Sequence, residues 1–170
     1  MIILSLTQIF LASISNPKKI AAFRLLPIGK VLLYVFIFVI ILSLLSFIHF
    51  ITGFKTDSSS MEGLLDYVDG MEWILYPFAF IIQFIMTTLL LFVRISLMAF
   101  GGLLILKLLK RRGEYRHVWR STAFAYTTPT VLSIFLLYVG FTDGWIFIIT
   151  TIICVIYLAF ALKYYPQNKS

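Results

Sequence analysis

One arginine inside a long apolar segment is the residue best placed to do chemistry within a membrane. Arg94 is the only charged residue between positions 74 and 106. It lies 13 residues before Lys107, which corresponds to roughly 20 Å along a helix. A guanidinium at that depth in hydrocarbon costs several kcal/mol unless it is paired or hydrated. Arg94 must therefore have partners.

Two polar residues share a helical face with Arg94. Gln83 and Thr87 precede it by 11 and 7 positions, spacings that bring all three to one side of a helix. This pattern predicts a polar seam that faces protein rather than lipid. As a functional group, Arg94 would belong to a hydrated path or a site for an anionic headgroup. As a structural group, it would be hydrogen-bonded to a neighbouring helix, for example to Tyr126 or His49. The sequence leaves both interpretations open.

A second group of candidates occupies the strongly basic segment 107–120, where aromatic side chains accompany the charges. An anionic inner leaflet attracts such a segment by about 1 kcal/mol per basic residue. The need to signal membrane topology would produce the same charges, and both explanations stay open. The candidate contacts with inner-leaflet lipid are Lys110, Arg111, Arg112, Arg116, Trp119 and Arg120.

Sequence signatures of enzymes and metal sites do not occur. The chain contains no HExxH, GxSxG, CxxC or Gly-rich phosphate loop, the patterns that mark the commoner hydrolytic, redox and nucleotide sites. Cys154 is the only cysteine, so an intramolecular disulfide and a thiolate metal cluster are excluded. We therefore expect no enzymatic activity, no cofactor and no bound metal.

Membrane-spanning helices must position these residues. Of 170 residues, 61% are hydrophobic and 12% charged, whereas soluble domains are about 45–50% apolar and about 25% charged. Segments of roughly 20 apolar residues cross a bilayer, and spans are predicted at 31–54, 74–106, 122–140 and 145–162. The predicted fold class is all-α, a polytopic four-span helical bundle. Pro129 predicts a kink in the third span, with neighbouring threonines satisfying the freed backbone groups.

The residues before the first span form a separate segment. Residues 1–30 are predicted to lie at the cytoplasmic face, and residues 31–170 to form the membrane domain. The polar residues Ser5, Gln8 and Ser15 fall near one helical face of an otherwise apolar stretch. This pattern predicts an amphipathic helix in the plane of the inner leaflet, with partial insertion as the alternative.

The charges divide between two sides of the membrane. Twelve of the 14 basic residues lie before the first span, between the second and third spans, or after the fourth, while six of the seven acidic residues lie in the other two connections. The positive-inside rule then places both termini in the cytoplasm. We expect anionic lipids, other membrane proteins or further copies of this chain as partners. Nucleic acid is not expected, because the basic residues adjoin membrane on both sides.

Two stretches of the chain resemble a bacterial family of integral-membrane proteins. Residues 15–21 (SNPKKIA) followed by 27–30 (PIGK) are similar to its opening, and residues 115–120 (YRHVWR) through 125–130 (AYTTPT) to its loop and third span. The family is domain of unknown function 1189, some members being labelled maltodextrin utilisation protein. The pattern also resembles the wider Yip/Yif superfamily. The positions that the family motif stresses are Tyr115, Trp119, Tyr126 and Pro129.

The resemblance implies a multi-pass protein of the bacterial cell membrane and supplies no established reaction. It also implies a sizeable extracytoplasmic domain between the first two spans, whereas this chain has only residues 55–73 there. Ligand recognition by such a domain is therefore not carried over. We expect a non-enzymatic membrane protein that scaffolds or regulates a transport or envelope system. The alternative is a transport or lipid-translocation subunit with a polar path around Arg94.

Overall fold

The computed structural model describes residues 6–58 and 64–167, and helices account for nearly all of them. Within this part of the chain no strand occurs, and a single isolated bridge joins Arg111 to Gln167. The predicted all-α fold class is confirmed. The helices are α1 (Leu6–Ser15), α2 (Pro17–Phe23), α3 (Ile28–Ser58), α4 (Leu64–Leu108), α5 (Tyr115–Ala125), α6 (Thr127–Val139) and α7 (Asp143–Lys163).

Four helical stretches are long and apolar enough to cross a membrane. They are Ile28–Thr52, Trp73–Leu108, Tyr115–Val139 and Gly144–Lys163. Their number agrees with the sequence-based prediction. The third stretch begins at Tyr115 rather than at residue 122, because the polar and charged residues that open α5 continue the same helical course as the apolar residues after them.

The third stretch is divided where the sequence predicts a kink. The break lies at Tyr126, three residues before Pro129, which occupies the first turn of α6. Proline has no N–H to donate and is tolerated in a first turn, where that donor has no intrahelical acceptor. The Tyr126 carbonyl accepts hydrogen bonds from the hydroxyl of Thr130 at 2.7 Å and from its N–H at 3.2 Å. A threonine thus satisfies backbone at the break.

The chain divides into two compact units, residues 33–93 and residues 1–32 with 94–170. We call them the hairpin unit and the junction unit. In the hairpin unit, Phe36 packs on Phe92 with ring centroids 6.0 Å apart, and Phe47 on Phe80 at 5.2 Å. The two pairs run in opposite order along α3 and α4, so these helices are antiparallel and meet through large aromatic side chains.

The junction unit buries its own core. Helix α2 contacts α5 and α7, and α1 contacts α2, α5 and α6. Phe23 of α2 meets Phe124 of α5 edge to face, with ring centroids 5.1 Å apart. Ile20, Phe124 and Leu162 are fully buried. Residues before the first span are therefore part of this core.

Gly102 brings α4 close to α5 and α7. A Cβ atom at Gly102 would lie 2.7 Å from Val118 Cγ1 and 3.2 Å from Leu158 Cδ2. Both neighbours are fully buried, and Val118 is a stiff β-branched residue. A Cβ at Gly101 would meet nothing within 4 Å. The adjacent glycines therefore differ sharply in the space around them.

We predict that Gly102→Ala lowers the free energy of unfolding by about 1–2 kcal/mol, because the added methyl group overpacks a filled interface. Gly101→Ala is the matched control. It should leave stability unchanged or raise it by up to about 1 kcal/mol, the helix-propensity gain. The measurement is denaturant unfolding of the purified protein in mild detergent. Equal effects of the two substitutions would contradict the close packing at Gly102.

Candidate functional site

Four segments of the junction unit meet at one buried tyrosine. Arg24 follows α2, Arg111 follows α4, Arg120 and Ser121 lie on α5, and Tyr165 follows α7. The Tyr165 side chain is 1% exposed. We call this set of five residues the basic junction.

Hydroxyl groups connect the segments at the basic junction. The Ser121 and Tyr165 hydroxyl oxygens lie 2.8 Å apart. Ser121 is also within donating distance of the Ile20 carbonyl, at 3.2 Å, and Tyr165 of the His117 carbonyl, at 3.1 Å. The two hydroxyl groups have only one proton each to donate, so two of these three contacts can be hydrogen bonds at the same time. The chain of contacts links α2, α5 and the segment after α7.

Three guanidinium groups contact Tyr165 or the segment that carries Arg24. The Arg24 guanidinium lies over the Tyr165 ring, 4.6 Å from its centroid. Arg111 Nη1 donates to the Tyr165 carbonyl at 2.9 Å, and Arg120 Nη1 donates to the Arg24 carbonyl at 3.2 Å. Across the described residues none of the three is paired with a carboxylate. Their partners are an aromatic ring and backbone carbonyls.

The environment of Tyr165 favours its neutral phenol. Burial raises the pKa of Tyr165, while the Ser121 hydrogen bond and the Arg24 charge lower it partly. For the Tyr165 phenolate, the free energy lost by removing water exceeds the free energy gained from attraction to the nearby Arg24 charge. The basic junction therefore requires a protonated Tyr165.

The candidate lipid-contacting residues fall into two groups. Arg111 and Arg120 are half-buried in the basic junction, whereas Lys110, Arg112 and Arg116 are exposed. Arg116 forms an exposed ion pair with Glu114 at 2.6 Å, an arrangement that contributes little to stability. Solvent or a charged surface can reach only the second group freely.

Trp119 also contacts its own chain. Its indole Nε1 donates to the Ser96 hydroxyl of α4 at 3.2 Å. The Tyr115 hydroxyl lies 3.5 Å from the Ser96 carbonyl. Two aromatic residues of α5 thus meet one polar position on α4, a partner that the sequence analysis did not identify.

Arg94 packs against aromatic rings two residues away from that position. Its guanidinium lies 4.4 Å from the ring centroid of Phe147 and 5.9 Å from that of Tyr126. The Arg94 side chain is half-buried. Tyr126 is among the partners that the sequence suggests, whereas Phe147 is not. A cation on aromatic faces gains about 0.5–2 kcal/mol, most when water is excluded.

Gln83 and Thr87 belong to the hairpin unit, whereas Arg94 belongs to the junction unit. Gln83 Nε2 donates to the Ser46 hydroxyl of α3 at 2.6 Å, and Thr87 is half-buried. The Gln83 amide is therefore bonded across the antiparallel pair of its own unit. This contact joins two of the few polar residues on these helices.

Sequence analysis missed the hydroxyl groups that cover the end of α1. The Tyr157 hydroxyl points at the carbonyls of Ser13 and Ile14, at 2.8 and 3.0 Å, and the Thr128 hydroxyl donates to Ser13 at 3.1 Å. The last carbonyls of a helix have no donor within it. Pro17, which opens the next helix, offers none. The only sequence features that hint at these hydrogen bonds are the helix break at Pro17 and the isolated hydroxyl residues in distant apolar segments.

Three of the four positions of the family motif contact α4. Tyr115 and Trp119 contact Ser96, and Tyr126 contacts Arg94. Pro129 lies in the turn that follows the break at Tyr126. In this structure the motif serves to hold α5 and the start of α6 against one short stretch of α4.

The helices and the polar contacts between them define an all-α, polytopic membrane protein. The chain belongs to the family described as a protein of unknown function, DUF1189, whose model matches residues 7–66 and 52–162. The two matches overlap between the first and second candidate spans. No curated protein and no solved structure matches the chain.

We predict that Tyr165→Phe lowers the free energy of unfolding by about 1 kcal/mol at neutral pH, because it removes a buried hydrogen-bonding group. The folded state raises the pKa of Tyr165, so this contribution is complete below about pH 10, the ordinary pKa of tyrosine. It is lost as pH rises through the raised value. The measurement is unfolding of both proteins as a function of pH, and their difference should shrink above about pH 10.

Tyr164→Phe is the matched control for this prediction, because the Tyr164 side chain is 53% exposed. It removes the same hydroxyl one position away and should leave stability unchanged at every pH. A stability difference between the wild type and Tyr165→Phe that stayed constant across the alkaline range would contradict the role of the neutral phenol.

Proposed function

We propose that this protein is a non-enzymatic integral membrane protein that scaffolds or regulates a membrane transport or envelope system. The observation that carries the proposal is the packing of Arg94 on Phe147 and Tyr126. A transport path needs its charged group hydrated, whereas a scaffold needs that group held by its own chain. A half-buried arginine that contacts aromatic rings of its own chain fits the second requirement.

The charge pattern supports a defined orientation for this scaffold. We place both termini in the cytoplasm and the chain in the bacterial cell membrane as a multi-pass protein, following the positive-inside distribution. The exposed residues Lys110, Arg112 and Arg116 would then meet anionic headgroups of the inner leaflet. Each adds about 1 kcal/mol of attraction to such a surface.

Large apolar side chains on the spans offer surface for association within the membrane. Leu97 and Phe100 on α4, and Phe135 on α6, are each more than 60% exposed. Lipid tails, other membrane proteins or further copies of this chain can cover such side chains. A scaffold uses part of this surface for protein contacts.

One observation favours the alternative, a transport or lipid-translocation subunit. The Thr151 hydroxyl is buried and has no hydrogen-bond partner. Thr151 lies one turn of α7 from Phe147, the residue beneath Arg94. A buried hydroxyl without a partner among the described residues, one turn from the ring that contacts Arg94, is a place where water can bind.

Cysteine labelling distinguishes the two functions. Single cysteines at positions 83, 87, 94 and 101, in a background where Cys154 is replaced by Ala, are treated with a membrane-impermeant thiol reagent. The scaffold predicts uniform protection at all four positions, because packed side chains exclude the aqueous reagent. Graded or complete labelling along this face would instead support a hydrated path and contradict the scaffold.

Cysteines at exposed Lys18 and Lys163 serve as controls in the same experiment. With both termini in the cytoplasm, they react only after the membrane is permeabilised. Labelling of intact cells at either position would contradict the proposed orientation. Full labelling of these controls after permeabilisation also shows that protection within the spans is not a failure of the reagent.

Native purification in mild detergent tests the association itself. We expect the wild-type protein to retain a stoichiometric membrane-protein partner or a second copy of itself, identified by native mass spectrometry. The triple variant Lys110→Gln, Arg112→Gln, Arg116→Gln should keep that partner and lose part of the co-purifying anionic phospholipid. A wild-type protein that purifies only as a monomer with lipid would contradict scaffolding.

A further inference from the structure

The basic junction brings together positive charges that have no counter-ion among the described residues. Arg24 lies over the Tyr165 ring, Arg111 donates to the Tyr165 carbonyl, and Arg120 donates to the Arg24 carbonyl. A carboxylate partner for them is absent from residues 6–58 and 64–167. Such a cluster of like charges at partly buried positions is unfavourable unless an anion compensates it.

Most hydrogen-bond donors of these guanidinium groups have no acceptor among residues 6–58 and 64–167. Arg111 and Arg120 each donate through Nη1 to one backbone carbonyl. Arg120 Nε is buried and has no acceptor. A guanidinium carries five N–H groups in a planar fork that matches the oxygen atoms of a phosphate. Half-buried positive charges with available N–H donors are suited to bind an oxyanion.

We propose that the basic junction binds a phosphate group, with Arg24 and Arg120 as its principal ligands and Arg111 adding charge. Arg24 closes the site from the α2 side and is oriented by the face of Tyr165. Arg120 approaches from α5 and is oriented by its hydrogen bond to the Arg24 carbonyl. This inference does not depend on the proposed scaffolding function, since a phosphate site could serve either candidate.

The position of the junction suits the headgroup of a phospholipid. Tyr165 lies two residues beyond the stretch Gly144–Lys163, and Arg111 three residues beyond Trp73–Leu108. The ends of membrane-spanning segments lie at the depth of lipid headgroups. Leu25 and Leu108, beside the junction in sequence, are 72% and 83% exposed, as expected for side chains that meet acyl chains. A free phosphate is the other source of the same chemistry.

Binding is tested with the full-length protein in uncharged detergent, using short-chain phosphatidic acid as the probe. Diacylglycerol with the same acyl chains lacks only the phosphate. Native mass spectrometry should show saturable binding of phosphatidic acid and much weaker retention of diacylglycerol. Competition with inorganic phosphate distinguishes the sources: displacement assigns the site to phosphate in general, and no displacement assigns it to the lipid headgroup.

Arg24→Lys and Arg120→Lys keep the charge and the length needed for folding, but lose the bidentate fork. Each should weaken binding of phosphatidic acid about tenfold, the loss expected from one charge-assisted hydrogen bond. Lys18→Gln is the control, because it removes an exposed positive charge that belongs neither to the junction nor to the residues proposed to meet the inner leaflet. It should leave the affinity unchanged.

Three results would overturn the proposal. Equal retention of phosphatidic acid and diacylglycerol would show that the phosphate is not recognised. Unchanged affinity in both lysine variants would place the phosphate elsewhere. A loss in Lys18→Gln as large as in Arg24→Lys would mean that binding reflects diffuse positive charge. The folded state of each variant is checked by its unfolding transition.

Discussion

Backbone carbonyls at helix ends need hydrogen-bond donors, and in a chain this apolar those donors must come from elsewhere in the protein. Water is scarce in hydrocarbon, and an unsatisfied carbonyl there costs several kcal/mol. In the junction unit, the hydroxyl groups of Tyr157 and Thr128 lie within hydrogen-bonding distance of the Ser13 carbonyl near the end of α1. Arg120 donates a hydrogen bond to the Arg24 carbonyl at the end of α2, and Arg111 donates one to the Tyr165 carbonyl after α7. Helix ends far apart in sequence are joined because each lacks a donor of its own.

Two cations of this unit contact aromatic rings and have no carboxylate partner among the described residues. Arg94 lies on Phe147, and Arg24 lies on Tyr165. A buried ion pair requires two charges to leave water, and that desolvation often exceeds the attraction gained. An aromatic face attracts a cation and needs no second charge. The consequence is that these two arginines keep a positive charge that the described part of the chain does not compensate, which makes their positions attractive to an external anion.

Periodicity and hydropathy predicted the number of spans and the break near Pro129, because both follow from local sequence. The start of the third span could not be predicted from hydropathy, since residues 115–121 are polar yet helical. The contact between Arg94 and the Phe147 ring could not be predicted either, because Phe147 is one apolar residue among many in its helix. The basic junction depends on contacts such as Arg120 with Arg24 and Ser121 with Ile20, which join residues 96 and 101 positions apart. The spacing of residues along the sequence does not predict contacts between residues so far apart.

Whether a basic residue is an arginine or a lysine nevertheless bears on its burial, which a count of charges does not show. Among the described residues, the half-buried basic side chains are Lys30 and four arginines, whereas Lys18, Lys19, Lys107, Lys110 and Lys163 are exposed. The guanidinium group is weakly hydrated, stacks on aromatic rings and donates in several directions, whereas an ammonium is compact and strongly hydrated. Where a basic residue must leave water without an acidic partner, arginine is therefore the residue that can do so. The positive-inside pattern treats both residues alike, and so it does not distinguish Arg24, Arg111 and Arg120, whose side chains build the junction, from basic residues at the surface.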